Sequence, residues 1–130
     1  MGANENKEVV RQMRDAKGID ALLATMSDDV RWTIIGTTKY SGTMNGKKEI
    51  TDRLLRPIFA ELESMGTNTV DNVIAEGDYV VVQTHASGRK TKTGNPYNNT
   101  YCLVYKVADG KIREITEYCD TELITAAFGR

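Results

Sequence analysis

Residues 97–119 read YNNTYCLVYKVADGKIREITEYC. The two halves, Tyr97 to Val107 and Lys111 to Cys119, are rich in β-branched and aromatic residues, and Ala108-Asp109-Gly110 divides them. Short Gly-containing connections between such runs make antiparallel hairpins. The same pattern occurs upstream. Thr69 to Ala75 and Tyr79 to Ser87 are strand-like, separated by Glu76-Gly77-Asp78, and Gly88 to Pro96 leads on to Tyr97. A four-strand antiparallel meander is therefore predicted for the second half of the chain.

The first half has a different period. Val9, Val10 and Met13 recur at helical spacing, with Asn4 or Asn6 as the expected cap. Lys17-Gly18 reads as a helix end, and Ile19, Leu22, Leu23 and Met26 mark a second short helix. Asp28-Asp29 reads as a polar corner, Val30 to Ile35 as a strand and Gly36 to Gly42 as a loop. A third helix opens at Asn45-Gly46 and carries Ile50, Leu54, Ile58 and Leu62 on one stripe, with Leu55 and Phe59 beside it, as far as Met65-Gly66. Pro57 should kink it. Asp120 precedes a last helix, Thr121 to Phe128, and reads as its cap rather than as a base.

No strand–helix–strand alternation follows, so the class is α+β. Helices on one face of a curved antiparallel sheet leave room for a cavity between the layers. Val80, Val82, Val104 or their alternates would leave the other face apolar enough for a partner, and a homodimer is the expected solution.

The chain has 130 residues, which fits one domain, and its 40% hydrophobic content supports a core. Lys+Arg is 17 against Asp+Glu 18. That balance argues against a nucleic-acid partner and against disorder. Cys102 and Cys119 are too few for a disulfide scaffold. The polar start, Met1 to Glu8, lacks the apolar run of about 7–15 residues that a secretory signal needs. The apolar run Tyr79-Val80-Val81-Val82 is far too short to cross a membrane. A cytoplasmic location with reduced thiols is expected. One histidine and two cysteines without CxxC spacing make no zinc set, and no phosphate loop or GxSxG elbow is present. Any chemistry is expected to be free of metal and cofactor. Arg89-Lys90-Thr91-Lys92, between Gly88 and Gly94, reads as a solvated hairpin loop.

Several stretches together resemble the nuclear-transport-factor-2-like superfamily: Val30 to Gly36, then Tyr40-Ser41-Gly42, then Gly46-Lys47-Lys48-Glu49-Ile50. Tyr97 to Tyr101, Asp109 to Ile112 and Glu117 to Thr121 resemble its SnoaL-like, ketosteroid-isomerase-related branch. The resemblance spans roughly residues 5–128. It implies a cone-shaped, cystatin-like α+β fold around a deep apolar pocket, commonly as a homodimer. Members include isomerases, polyketide cyclases, epoxide hydrolases, dehydratases and binders without chemistry, so the fold does not stand for a function. Steroid isomerisation needs a carboxylate base with a tyrosine and a protonated acid as oxyanion donors. The resemblance matches the tyrosine to Val10, the base to Thr33 or Ile34 and the protonated acid to a position near Leu103, none of which can act. That machinery is not matched.

The resemblance instead directs attention to Asn99, Tyr101 and Glu117, which in cyclases and epoxide hydrolases of the family point into the pocket. Asn99 and Tyr101 share a strand face. Glu117 joins them only if the hairpin register allows. A two-residue Asp109-Gly110 turn pairs Val107 with Ile112 and places Cys102 opposite Glu117, turning the carboxyl away. A three-residue loop pairs Val107 with Lys111 and places Tyr101 opposite Glu117. The second register is expected, because Ala108-Asp109-Gly110 suits a type I turn with a Gly bulge. In an apolar pocket Glu117 would gain a raised pKa and serve as base or acid, with Tyr101 and Asn99 donating to a substrate oxygen. The plainer alternative is a surface salt bridge from Glu117 to Arg113 or Lys111.

Trp32, Ile34, Tyr40, Met44, Leu55, Phe59 and His85 are candidate substrate contacts; the apolar ones serve equally well as core, and His85 as an exposed strand residue. Three readings stay open. The first is a cofactor-free isomerase, cyclase or hydrolase acting on a small, mostly apolar, oxygen-bearing molecule. The second is a binder of a hydrophobic ligand. The third is a dimeric accessory protein whose cavity is filled by side chains.

Overall fold

The computed structural model describes residues 2–130. Helix α1 spans Ala3–Asp15 and buries Val9, Val10 and Met13, as the spacing requires. It starts earlier than expected. Gly2 holds the cap position, so Asn4 and Asn6 lie inside the helix. Asn6 is buried and donates through Nδ2 to the Gly77 carbonyl, 3.2 Å away, tying the helix to a hairpin tip. Helix α2 is Ile19–Leu23.

Strand β1 runs over Met26–Ile34. The expected Asp28-Asp29 corner lies inside it. Both residues are exposed, and the pairing with the neighbouring strand slips between Met26 and Arg31, so the strand bends here without ending. Strand β2, Gly42–Asn45, pairs antiparallel with β1.

Helical structure then runs unbroken through α3 (Gly46–Ile50), a π-wound segment (Thr51–Leu55) and α4 (Arg56–Glu61). Pro57 at the start of α4 lacks the N–H that an α-turn would use. The chain takes up the defect by widening the preceding turn, where a kink was expected. The helix stops at Glu61, short of Met65-Gly66. Leu62–Ser64 form a short strand β3, which pairs with β6, Lys90–Thr91.

The remaining strands are β4 (Thr67–Glu76), β5 (Tyr79–Ser87), β7 (Thr100–Ala108) and β8 (Lys111–Cys119), followed by helix α5 (Thr121–Phe128). Asp120 caps α5, its Oδ1 accepting from the Glu122 N–H at 3.0 Å. The main sheet has the order β2-β1-β8-β7-β5-β4. The meander is antiparallel as expected, and β1 joins it by a parallel pairing with β8. The sheet is curved and unclosed, and the class is α+β. Val80, Val82, Leu103, Tyr105, Val107, Ile112 and Ile115 face the helices with Val30, Trp32 and Ile34. Val81 and Val104 face outward, paired with each other.

The β7–β8 hairpin does not take the expected three-residue loop. Asp109 and Gly110 both have positive φ, 53° and 73°, the geometry of a two-residue type I′ turn. Val107 accordingly pairs with Ile112. The ladder then slips by one residue between Lys106 and Val107, so Leu103, rather than Cys102 or Tyr101, supplies the partner for Glu117.

Candidate functional site

A single row across the concave face fixes the surroundings of Glu117. Ile34, Glu117, Leu103 and Val82 stand side by side on β1, β8, β7 and β5. Ile34 and Leu103 are buried, whereas Glu117 keeps a share of accessible surface although protein surrounds it. The cover over this row is therefore incomplete at the carboxyl. The alternative salt bridges do not form. Arg113 turns to Asp29 and Asp109, and the Lys111 ammonium donates to the Ala24 carbonyl.

Trp32, two residues from Ile34 on the same face, donates its indole N–H to Glu117 Oε1 at 3.3 Å. Burial pushes the Glu117 pKa up to about 7; the Trp32 and Cys119 hydrogen bonds and the charge of Arg89 restrain the rise. The Cys119 thiol, pushed up to about 12 by burial and by Glu117, stays protonated. It is no nucleophile.

Tyr101 lies on the next row, opposite Cys119 and diagonal to Glu117. Diagonal neighbours stand roughly 7–8 Å apart, within reach of long side chains; the Tyr101 hydroxyl bonds Arg89 and not Glu117. Burial and the adjacent Tyr97 keep the Tyr101 phenol neutral far above its usual range. Its hydroxyl accepts from Arg89 Nη1 at 3.4 Å. Arg89 can only donate, so the phenol proton points away from it.

Arg89 was expected in a solvated loop, yet it turns inward and is half-buried. Three contacts place it. Its backbone N–H donates to Asn98 Oδ1 at 3.0 Å, its carbonyl accepts from the Tyr97 N–H at 2.8 Å, and its Nε donates to the Met65 carbonyl at 2.9 Å. Gly66, with φ of 60°, makes the approach possible. A Cβ there would stand 2.1 Å from the Ser87 carbonyl oxygen and 2.6 Å from the Arg89 nitrogen.

Asn99 is fully buried and does not reach Glu117. Its side chain accepts from the Thr100 and Asp120 N–H groups and donates to the Asp120 carbonyl and the Tyr97 hydroxyl, at 2.8 to 3.3 Å. It clamps the corner after β8 and orients Tyr97. All four of these bonds go to protein groups and none to Tyr101 or Glu117, the residues with which Asn99 is expected to act.

Trp32, Ile34, Tyr40, Met44 and Leu55 are all buried in the core cluster. Tyr40 and Tyr97 both meet the Phe128 ring edge-on, at centroid distances of 5.5 and 4.7 Å, so α5 closes this end of the sheet. Phe59 is 37% exposed on α4. His85 is not brought to the site. It alternates with the inward Thr84 and Ala86, faces out, and bonds Asp71 Oδ2 at 2.7 Å. Two open recesses lie elsewhere, one of about 440 Å³ between Lys39 and Thr125 and one of about 680 Å³ between Asp28 and Arg53; neither is lined by Glu117.

The sequence reading did not single out Tyr97, Cys119 or Arg89. The i, i+2 spacing of Tyr97, Asn99 and Tyr101 carries a signal for Tyr97. None exists for Arg89, whose orientation comes from contacts across three loops.

Residues 8–115 match the SnoaL-like domain family. Among curated proteins none matches the chain. Solved structures with this fold include a nuclear-transport-factor-2-like protein from Burkholderia xenovorans LB400, 24% identical over 98% of each chain with a TM-score of 0.80. A second such protein, from Burkholderia thailandensis E264, is 23% identical over 98% of each chain with a TM-score of 0.82. A Jannaschia protein named for a SnoaL-like polyketide cyclase is 20% identical, over 98% of this chain and 93% of its own, with a TM-score of 0.73.

Proposed function

The chain belongs to the SnoaL-like family, a fold related to polyketide cyclases and ketosteroid isomerases, and from that premise we propose that it is a cofactor-free acid/base enzyme acting on a small, mostly apolar molecule that carries oxygen. One observation supports this above all: a partly accessible carboxyl, Glu117, with a pKa near neutrality beside a neutral phenol, Tyr101. A carboxyl poised there exchanges a proton in either direction at physiological pH.

In this reading Glu117 removes a proton from carbon beside a carbonyl. Tyr101 donates a hydrogen bond to the carbonyl oxygen as it gains charge, and Arg89 behind Tyr101 offsets that charge. The Glu117 acid then returns the proton at a second position. Water activation for hydrolysis uses the same two groups. Glu117 sits between Ile34 and Leu103; the resemblance to steroid isomerases matches their base to Thr33 or Ile34 and their protonated acid to the neighbourhood of Leu103. This chain would thus keep a carboxyl in the region on the intervening strand. In the same reading two copies pair through the outer sheet face, where Ile74, Tyr79 and Tyr118 are exposed.

A screen of enolisable ketones and epoxides tests the enzyme reading, with Glu117→Gln as control. Turnover should show a pH limb near 7 and fall about 10²–10⁴-fold in the variant. Unchanged turnover in Glu117→Gln would remove Glu117 from the chemistry.

A further inference from the structure

Among the described residues, no Asp or Glu oxygen lies within 4.0 Å of the Arg89 guanidinium. The acids on the neighbouring segments face other cations: Glu63 lies 3.9 Å from Lys90 and Glu61 lies 3.7 Å from Lys39. Arg89 is half-buried, and its protein partners are two neutral oxygens, Tyr101 Oη and Met65 O. Two of its five donors are used, one of them at the long distance of 3.4 Å. A partly desolvated cation without an anion is costly to keep, and a guanidinium matches the planar fork of a carboxylate.

From the inward-turned Arg89, its Tyr101 contact and the missing counter-anion, we infer that the substrate carries a negatively charged oxygen group, a carboxylate or an equivalent ionised oxygen, seated on Arg89 with its apolar body toward Trp32 and Leu103. The inference rests on the proposed site and names the class of molecule that occupies it. Arg89 supplies the charge, Tyr101 the neutral donor. Glu117 is the one carboxyl that faces them, and an anion binds best when that carboxyl is protonated. The other groups turned toward Glu117 are Trp32 on β1, Cys119 on β8, Tyr105 on β7 and Tyr97 before it, and none of these is anionic at that pH.

Trp32 is the single tryptophan of the chain, so its emission reports on this place. The experiment titrates the full protein with 4-phenylbutyrate and, separately, with its neutral counterpart 4-phenylbutanol, at about pH 6 where Glu117 is mostly protonated. The carboxylate should bind at least about tenfold more tightly than the alcohol. Arg89→Met should abolish that preference and leave alcohol binding within about twofold, while Arg89→Lys should restore part of it. Retained alcohol binding in Arg89→Met shows that the variant is folded. Equal affinities in the wild type, or a preference that survives Arg89→Met, overturn the anion inference and leave the acid/base reading standing. Absence of any Trp32 response to either probe in the wild type overturns both.

Discussion

Leu103 stands directly opposite Glu117, whereas four residues further along the same strand Val107 stands opposite Ile112. The two pairs are out of step by one residue. The turn alone would place Glu117 on the outer face, opposite Cys102. The slip puts both Arg113 and Glu114 against Lys106 and rotates everything beyond by one position, turning the carboxyl inward.

Deleting Arg113 therefore leaves a regular ladder in which Glu114 follows Ile112 and Glu117 still meets Leu103. The expected outcome is turnover within about threefold of wild type and a stability loss of about 1 kcal/mol from two exposed ion pairs. Kinetics on a substrate from the screen and urea denaturation check it. Loss of the pH limb near 7 would show that the bulge holds Glu117 by more than its register.

Glu117 makes the fold less stable as pH rises. Its folded pKa of about 7 lies above the ordinary 4.5, so the native state binds the proton more tightly than the unfolded chain. Below the ordinary value both states are protonated and the group contributes nothing. Between the two values stability falls, and above the higher one the whole penalty remains, on the order of 1–3 kcal/mol after allowance for solvent at the carboxyl. Glu117→Gln should thus be the more stable protein at about pH 8 and match wild type at about pH 4. Urea midpoints at both values decide; a wild type more stable than the variant at the higher pH contradicts the assignment.

Asn99→Ala should cost about 2–4 kcal/mol, because it strands the Thr100 and Asp120 N–H groups and the Asp120 carbonyl. The measurement is again denaturant unfolding, with turnover per folded molecule alongside. A variant of normal stability and no turnover would return Asn99 to a direct role in the chemistry.

Tyr118→Asp probes the proposed dimer. Tyr118 is 46% exposed on the outer face, opposite Cys102. A charge buried at a contact between copies costs several kcal/mol, so the variant should sediment as a monomer at concentrations where the wild type is a dimer. A monomeric wild type, or an unchanged dimer, removes this face as the contact.

The strands were readable because period-two alternation and Gly-containing turns are local. Tyr79–Ser87 and Lys111–Cys119 end where the residues say they end. The capping role of Asp120 was readable for the same reason. The start of α1 was not, because the burial of Asn6 against the Gly77 hairpin outweighs a local cap. Nor was the end of the third helical segment, because Leu62–Ser64 gain a strand partner some thirty residues away, in Lys90–Thr91. Tyr101 and Glu117 were picked out on one strand each, and the structure places them on one face through a pairing the turn residues do not specify.

The sequence by itself determined the class of the fold, the order of its elements and the residue types offered to a pocket, since each depends on patterns within a dozen neighbours. Tertiary structure alone decided which of those residues meet. The bulge beside Arg113 turned Glu117 inward, and burial beneath the cover of helices brought its pKa near neutrality. The close approach of Gly66 to the Ser87–Arg89 loop left half-buried, against the Tyr101 hydroxyl, a basic residue that composition assigns to solvent. A side chain's orientation and its pKa are set by what surrounds it in space, and those surroundings come from segments far apart in the chain.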